Sequence, residues 1–323
     1  MDAGRADEGE RSNKSRRNVI ETMRKWFVAT SPSTLTSAFS SVTLGAILSF
    51  YLLGKINIPF YILTAMGIMM AQAGVNLIHD YSEFKTGLDI VHISQGLPHR
   101  IHPIINLGLN PASVKRSGYL LLIAAGLIGI YLAVETTWII LLIAIIGFSL
   151  GVLYSEGLRL HYKGAGEAVA LISMGPLVAL GSFMVQTNSF SWAPVLVGLV
   201  NGLFTLIILL GSGAIEIEAS RKFGKKTIAL MLGLRRTGYL AVAAVAFIYI
   251  IIAISVYLGF LPYLSLASLL VLPFSARLVI PLIKGGSQDK WRELKALWAG
   301  PFNHRVVILT IIVASIIIAR LIP

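Results

Sequence analysis

The 323-residue chain is 56% hydrophobic and only 13% charged, with a mean hydropathy of +0.79. A soluble domain carries about 25% charged residues, so this chain lacks the charge to cover a water-exposed surface. It has no cysteine, which excludes disulfides, thiolate metal sites and cysteine nucleophiles. Its net charge of +12 requires no nucleic acid as partner, because lysines and arginines beside membrane spans also meet anionic headgroups.

Residues 1–25 are polar, with Arg5, Arg11, Lys14, Arg16, Arg17, Arg24 and Lys25 and no apolar core. The segment is therefore not a cleavable signal peptide and reads as a disordered or surface-lying basic arm. Trp26 and Phe27 follow, a pair suited to the headgroup level. Residues 26–323 form one domain. A spanning helix needs about 20 mostly apolar residues. That template predicts an all-α membrane bundle of nine spans near 35–54, 57–80, 117–135, 136–154, 165–186, 191–215, 237–260, 262–285 and 303–322.

The loops alternate in character. Those at 55–57, 135–137, 187–191 and 260–262 are short, whereas 81–116, 155–164, 216–236 and 286–303 are long and polar. Of the 27 lysines and arginines, only Lys55 and Arg320 fall on the short-loop side. Arg277 lies within the eighth span and snorkels to its polar-loop end. The positive-inside rule puts the long loops and the N-terminus in the cytoplasm, and an odd helix number leaves Pro323 outside. The expected location is the cell membrane.

Two polar constellations stand out. At the end of the second span, Asn76, Asp80 and Glu83 are spaced i, i+4 and i+7 and share one helix face. Gly87 can end that helix and let Asp89 fold back. Converging oxygens of this kind suit Mg²⁺, which favours one or two carboxylates plus substrate phosphates. A solvated helix end is the plain alternative for the acids, but Asn76 lies one turn inside the span, where polar groups are costly. At the end of the sixth span come Glu216, Glu218 and Ser220, then Lys225 and Lys226 after Gly224. Glu216 and Ser220 share a helix face while Glu218 points elsewhere. Two acidic helix ends facing across a cavity, with lysines beside them, suit a Mg²⁺-bound diphosphate above an apolar pocket for a hydrocarbon tail.

These residues carry a resemblance. Asn76, Asp80, Tyr81, Gly87 and Asp89 follow an Asn-x-x-x-Asp-Tyr-x-Asp-x-x-x-Gly-x-Asp pattern, with Glu83 in place of the middle Asp. Tyr154 and Ser155 precede a Gly164-Ala165-Gly166-Glu167 stretch, and Gly224, Lys225, Lys226 and Thr227 match a Gly-Lys-Arg-Thr. From about residue 26 onwards the chain resembles the UbiA superfamily of intramembrane prenyltransferases, most closely the menaquinone-type dihydroxynaphthoate branch. It departs from that pattern in the second acidic motif, where Ile215, Glu216 and Ser220 stand in place of Arg, Asp and Asp. Ser31 replaces an Arg before Pro32.

The resemblance implies a nine-helix bundle around a cavity open to the cytoplasm, and transfer of a polyprenyl group from a prenyl diphosphate to an aromatic acceptor. It implies Mg²⁺ held by Asn76, Asp80, Glu83 and Asp89 on one side and by Glu216, Glu218 and Ser220 on the other. Lys163, Lys225, Lys226 and Arg100 are the implied diphosphate partners. Asp80, Tyr154, Ser155 and Lys163 are the implied catalytic group, with His79 and His161 ranked below them. Dihydroxynaphthoate is the first expectation for the acceptor. Another quinone precursor, a glycerol-phosphate lipid precursor, or a non-catalytic isoprenoid-binding role are the alternatives. A transporter would instead place ionisable groups near the midplane.

Overall fold

The computed structural model describes residues 2–96, 100–284, 286–297 and 302–322. The N-terminal arm is helical: α1 (Asp2–Ala29) is exposed from Arg16 to Arg24 and joins the bundle at Trp26–Ala29. Ser31, in the left-handed region at φ 57°, turns the chain into α2 (Pro32–Leu53). Pro32 opens that helix, where a missing N–H costs nothing. Asn57 caps α3 (Ile58–Thr86) by accepting from the Phe60 N–H at 3.0 Å.

Helix α3 is 29 residues long, about 43 Å at 1.5 Å per residue, whereas the hydrocarbon core is about 30 Å thick. Its last turns therefore project beyond the apolar layer, and the expected end near residue 80 moves to Thr86. Gly87, at φ 83°, reverses the chain into α4 (Leu88–Ser94). There follow α5 (Pro111–Glu135) and α6 (Ile139–Ser155), which is apolar but only 17 residues long.

The fifth expected span is broken. α7 (Gly166–Ile172) passes through a π-turn at Ser173–Leu177, which contains Pro176, into α8 (Val178–Thr187). Proline cannot donate to the helix ladder and kinks it. Asn201, fully buried on α9 (Trp192–Ile215), compensates: its Nδ2 donates to the Met174 carbonyl in the broken turn (2.7 Å), to Ser41 Oγ (2.7 Å) and to the Ser37 carbonyl (3.0 Å). One amide thus ties α2, α9 and the turn together where water cannot satisfy the backbone.

The chain continues through α10 (Ile217–Lys222), α11 (Ile228–Leu232) and α12 (Leu234–Tyr257). The eighth expected span begins as a 3-10 segment at Tyr263–Val271 and ends as α13 (Leu272–Lys284). α14 (Gln288–Leu297) and α15 (Phe302–Leu321) complete the chain. Among the described residues, eight helices are long and apolar enough to cross a membrane, and α6 supplies a shorter apolar helix at the remaining expected span. The described residues contain no β-strand. The protein is an all-helical, multi-pass membrane protein.

Small residues let the elements approach closely. A Cβ built on Gly175 in the π-turn comes within 2.8 Å of the Gly202 Cα on α9. Such backbone approach is how helices associate where lipid removes the hydrophobic drive. The main core gathers Leu44, Phe204, Ile207, Ile248 and Ile312 from α2, α9, α12 and α15. Beside this core, α2, α3, α5, α6, α8 and α9 enclose a cavity.

Candidate active site

The cavity has a volume of about 740 Å³. Its body is apolar, lined by Ile68, Leu122, Ile128, Ile143 and Phe148, while its mouth carries the ends of α3, α4 and α9 and the loop before α11. A concave apolar pocket with a few convergent polar groups is the form of a small-molecule site.

The first polar group is built on α3. Asp80 is 1% exposed. Because Gly87 reverses the chain, Asp89 on α4 returns towards it, and His102 approaches from the following loop. Carboxylate and imidazole ligand atoms of Asp80, Asp89 and His102 lie within 4.8 Å of one another. His102 Nε2 stands 3.1 Å from Asp89 Oδ2. Arg100 donates to Asp80 Oδ1 and to Ser31 Oγ, so its guanidinium links α3 to the start of α2. Asp80 Oδ2 is buried without a hydrogen-bond partner among the described residues. Burial pushes the Asp89 carboxyl up from its ordinary value, against the opposing hydrogen bond from His102.

That donor set fits a divalent cation. Asp80 offers an oxygen that no protein group satisfies, and Asp89 offers a second carboxylate beside it. Two carboxylates with room for substrate oxygens are what Mg²⁺ prefers.

The second polar group centres on Glu83, one turn further along α3 and 4% exposed. Lys225 Nζ donates to Glu83 Oε1 at 2.7 Å and to Glu216 Oε2 at 3.3 Å. His161 Nε2 faces Glu83 Oε1 and His79 Nε2 faces Glu83 Oε2, each at 3.4 Å. His79 Nδ1 pairs with Ser155 Oγ at 3.1 Å, and the His161 ring stacks on Tyr154 with centroids 5.2 Å apart. Burial opposes the charge on Lys225, but Glu83 and Glu216 outweigh it and hold the ammonium well above the usual lysine value. The loop bearing Lys225 is anchored on both flanks: Lys226 N–H donates to the Tyr162 carbonyl (3.0 Å) and Ile228 N–H to Glu167 Oε1 (2.9 Å).

The fold thus brings together Asp80, Glu83, Asp89, Arg100, Tyr154, Glu216 and Lys225, all lining one cavity. It leaves others aside. Asn76 lines the cavity, but its Oδ1 accepts from Gln72 (3.0 Å) and its Nδ2 donates to Thr34 Oγ1 (2.7 Å) and the Thr30 carbonyl (3.0 Å), so it fastens α3 to α2. Lys163, Lys226 and Glu218 are exposed outside the cavity lining, and Ser220 is buried off it. Ser155 is buried behind His79. No local motif marks His102, or the fully buried Arg305, which lines the cavity from α15 and donates to Thr36 Oγ1. His79 and His161 hold a more central place than their rank; the i, i+4 spacing of His79 and Glu83 was the available signal.

Comparison with known proteins decides the family. The profile of the UbiA prenyltransferase family matches residues 38–300, most of the chain. The protein belongs to the UbiA prenyltransferase family. This UbiA-family protein is 29% identical over 222 residues to a 1,4-dihydroxy-2-naphthoate octaprenyltransferase of Bacillus subtilis (strain 168), covering 68% of this chain and 70% of the relative. It is 28% identical over 262 residues to a 2-carboxy-1,4-naphthoquinone phytyltransferase of a Synechocystis species, covering 80% and 82%. Among solved structures, a UbiA homolog from Archaeoglobus fulgidus bound to GPP and Mg²⁺ superposes with a TM-score of 0.59 at 11% identity, over 92% of this chain and all of that one. The fold is that of the family, and the enzyme is a transferase of prenyl groups.

Proposed function

We propose that this enzyme transfers a polyprenyl group from a prenyl diphosphate to 1,4-dihydroxy-2-naphthoate, with Mg²⁺ at the cavity mouth. The observation that carries the reading is the unsatisfied Asp80 Oδ2 beside Asp89, at the polar end of an otherwise apolar cavity. The named activities of the bacterial relatives support the acceptor, and the GPP and Mg²⁺ held by the archaeal homolog support the donor and the cation.

Bound there, Mg²⁺ supplies charge that neutralises the leaving diphosphate. The protein's residues do the rest. Asp80, through its free Oδ2, and Asp89 would hold the cation, and Arg100, paired with the other Asp80 oxygen, lines the cavity as a partner for the diphosphate. Lys225 presents a fixed positive charge where the carbon–oxygen bond breaks, and preorganised charge is most effective there. The apolar walls hold the prenyl chain and keep water from the allylic cation. Tyr154 and His79 line the cavity beside Lys225, where the acceptor ring would form its bond to C1 of the prenyl chain and release a proton or carbon dioxide from the alkylated carbon. The distribution of lysine and arginine supports a cytoplasmic mouth and N-terminus, with the C-terminus outside.

The test is direct. Purified protein in lipid, given Mg²⁺, geranylgeranyl diphosphate and dihydroxynaphthoate, is expected to form prenylated product by mass spectrometry. Asp80→Asn is expected to lower the rate by at least about 100-fold, the scale of one preorganised electrostatic contact. Product only with another aromatic acceptor would keep the chemistry and change the acceptor. No product with any acceptor would sink the proposal.

A further inference from the structure

Two acidic helix ends meet at the mouth, Glu83 on α3 and Glu216 after α9, and the space between them is already bridged. Lys225 Nζ lies 2.7 Å from Glu83 Oε1 and 3.3 Å from Glu216 Oε2. Lys225 is 7% and Glu83 4% exposed, so this is a desolvated ion pair rather than a surface contact. The lysine is fixed from its backbone as well. Gly224 adopts φ 67°, and the Lys225 N–H donates to the Ser220 carbonyl at 2.9 Å.

Glu83 holds Lys225 by a hydrogen bond on Oε1 and has an imidazole nitrogen 3.4 Å from each of its oxygens. Lys225 and His161 face its Oε1, and His79 faces its Oε2. The chain after Glu216 adds no further carboxylate, because Glu218 is exposed outside the lining and position 220 is a buried serine. Asp80 contrasts with this. Its Oδ2 is buried and unsatisfied, with the Asp89 carboxylate and His102 within reach. A dication between Glu83 and Glu216 must expel a buried ammonium from two carboxylates, and breaking such a pair is strongly unfavourable. A dication at Asp80 Oδ2 expels no cation from that oxygen, while Arg100 keeps its hold on Oδ1.

We infer that the enzyme works with a single divalent cation, at Asp80 and Asp89, and that the Lys225 ammonium is its built-in second cation. Glu83 and Glu216 take two of its three N–H donors, and the third is directed to a diphosphate oxygen. The inference deepens the proposed function and rests on it.

The experiment counts metal rather than turnover. The full chain in lipid nanodiscs is titrated with Mn²⁺ at saturating geranylgeranyl S-thiolodiphosphate, a non-reacting donor, and bound Mn²⁺ is measured by electron paramagnetic resonance. One Mn²⁺ per chain is expected for the wild type and equally for Glu216→Gln, and none for Asp80→Asn. Two in the wild type, or a lower count in Glu216→Gln, overturns the inference while leaving the proposed function in place. Lys225→Met is expected to retain one Mn²⁺ and to bind the thiolodiphosphate at least about tenfold more weakly; undiminished binding also overturns it. A folded wild type that binds neither Mn²⁺ nor the thiolodiphosphate overturns the proposed function itself.

Discussion

Asp80 is held on one oxygen by Arg100 and left open on the other. That asymmetry separates two roles that activity alone would merge. Arg100→Ala removes the guanidinium from both Asp80 and Ser31, and a charge-assisted hydrogen bond contributes about 1.5–3 kcal/mol. The expected outcome is a KM for prenyl diphosphate raised about tenfold or more, with Mg²⁺ affinity undiminished, read from Mg²⁺ titrations at fixed substrate. Loss of Mg²⁺ affinity instead would make Arg100 a support for the metal site alone. Glu83 tests the neighbouring group. Glu83→Ala strands Lys225 in a buried setting, a change that typically costs about 3–5 kcal/mol. A large drop in thermal unfolding temperature in detergent is expected, with much of it recovered in the Glu83→Ala/Lys225→Met double variant. The lysine value is raised by folding, so its stabilisation is complete below the unfolded lysine pKa of about 10.4 and is lost only as pH rises through the still higher native value.

At the scale of elements, Gly87 decides where Asp89 goes. It ends α3 at φ 83° and starts α4, and an L side chain in that region costs about 1–2 kcal/mol. Gly87→Ala is expected to lower Mn²⁺ affinity more than a surface alanine substitution of equal stability cost, because it shifts α4 against α3. Equal effects on both would mean that α4 holds its place by packing alone. The spacing of the acids along α3 was legible from sequence, since i, i+4 and i+7 positions share a face whatever surrounds the helix. The break in the α7–α8 span is not legible in the same way, although Pro176 lies within it. Whether a proline in a span kinks it depends on what satisfies the freed carbonyls, and Asn201 does so from 27 residues away.

At the scale of the whole molecule, the cavity sets the length of chain that fits. Ala144 on α6 lines its apolar body. Ala144→Phe is expected to shift preference towards shorter prenyl diphosphates, seen as a larger fall in kcat/KM for geranylgeranyl than for geranyl diphosphate. A uniform fall across chain lengths would place the prenyl chain elsewhere.

The sequence by itself determined the membrane class, the run of apolar spans, the family and the acidic face at the end of α3. Each of these is written in local hydrophobicity, in spacing along one helix, or in short motifs. Only the tertiary structure decided which charged groups meet. Arg100 reaches Asp80 and Ser31, His102 reaches Asp89, and Lys225 closes on Glu83 from 142 residues away. It also set Asn76 to fastening helices and left Lys163, Lys226, Glu218 and Ser220 outside the cavity lining. The physical reason is that ion pairing and desolvation act through space. A charged residue in a loop carries no local mark of the partner it will find once the helices have packed.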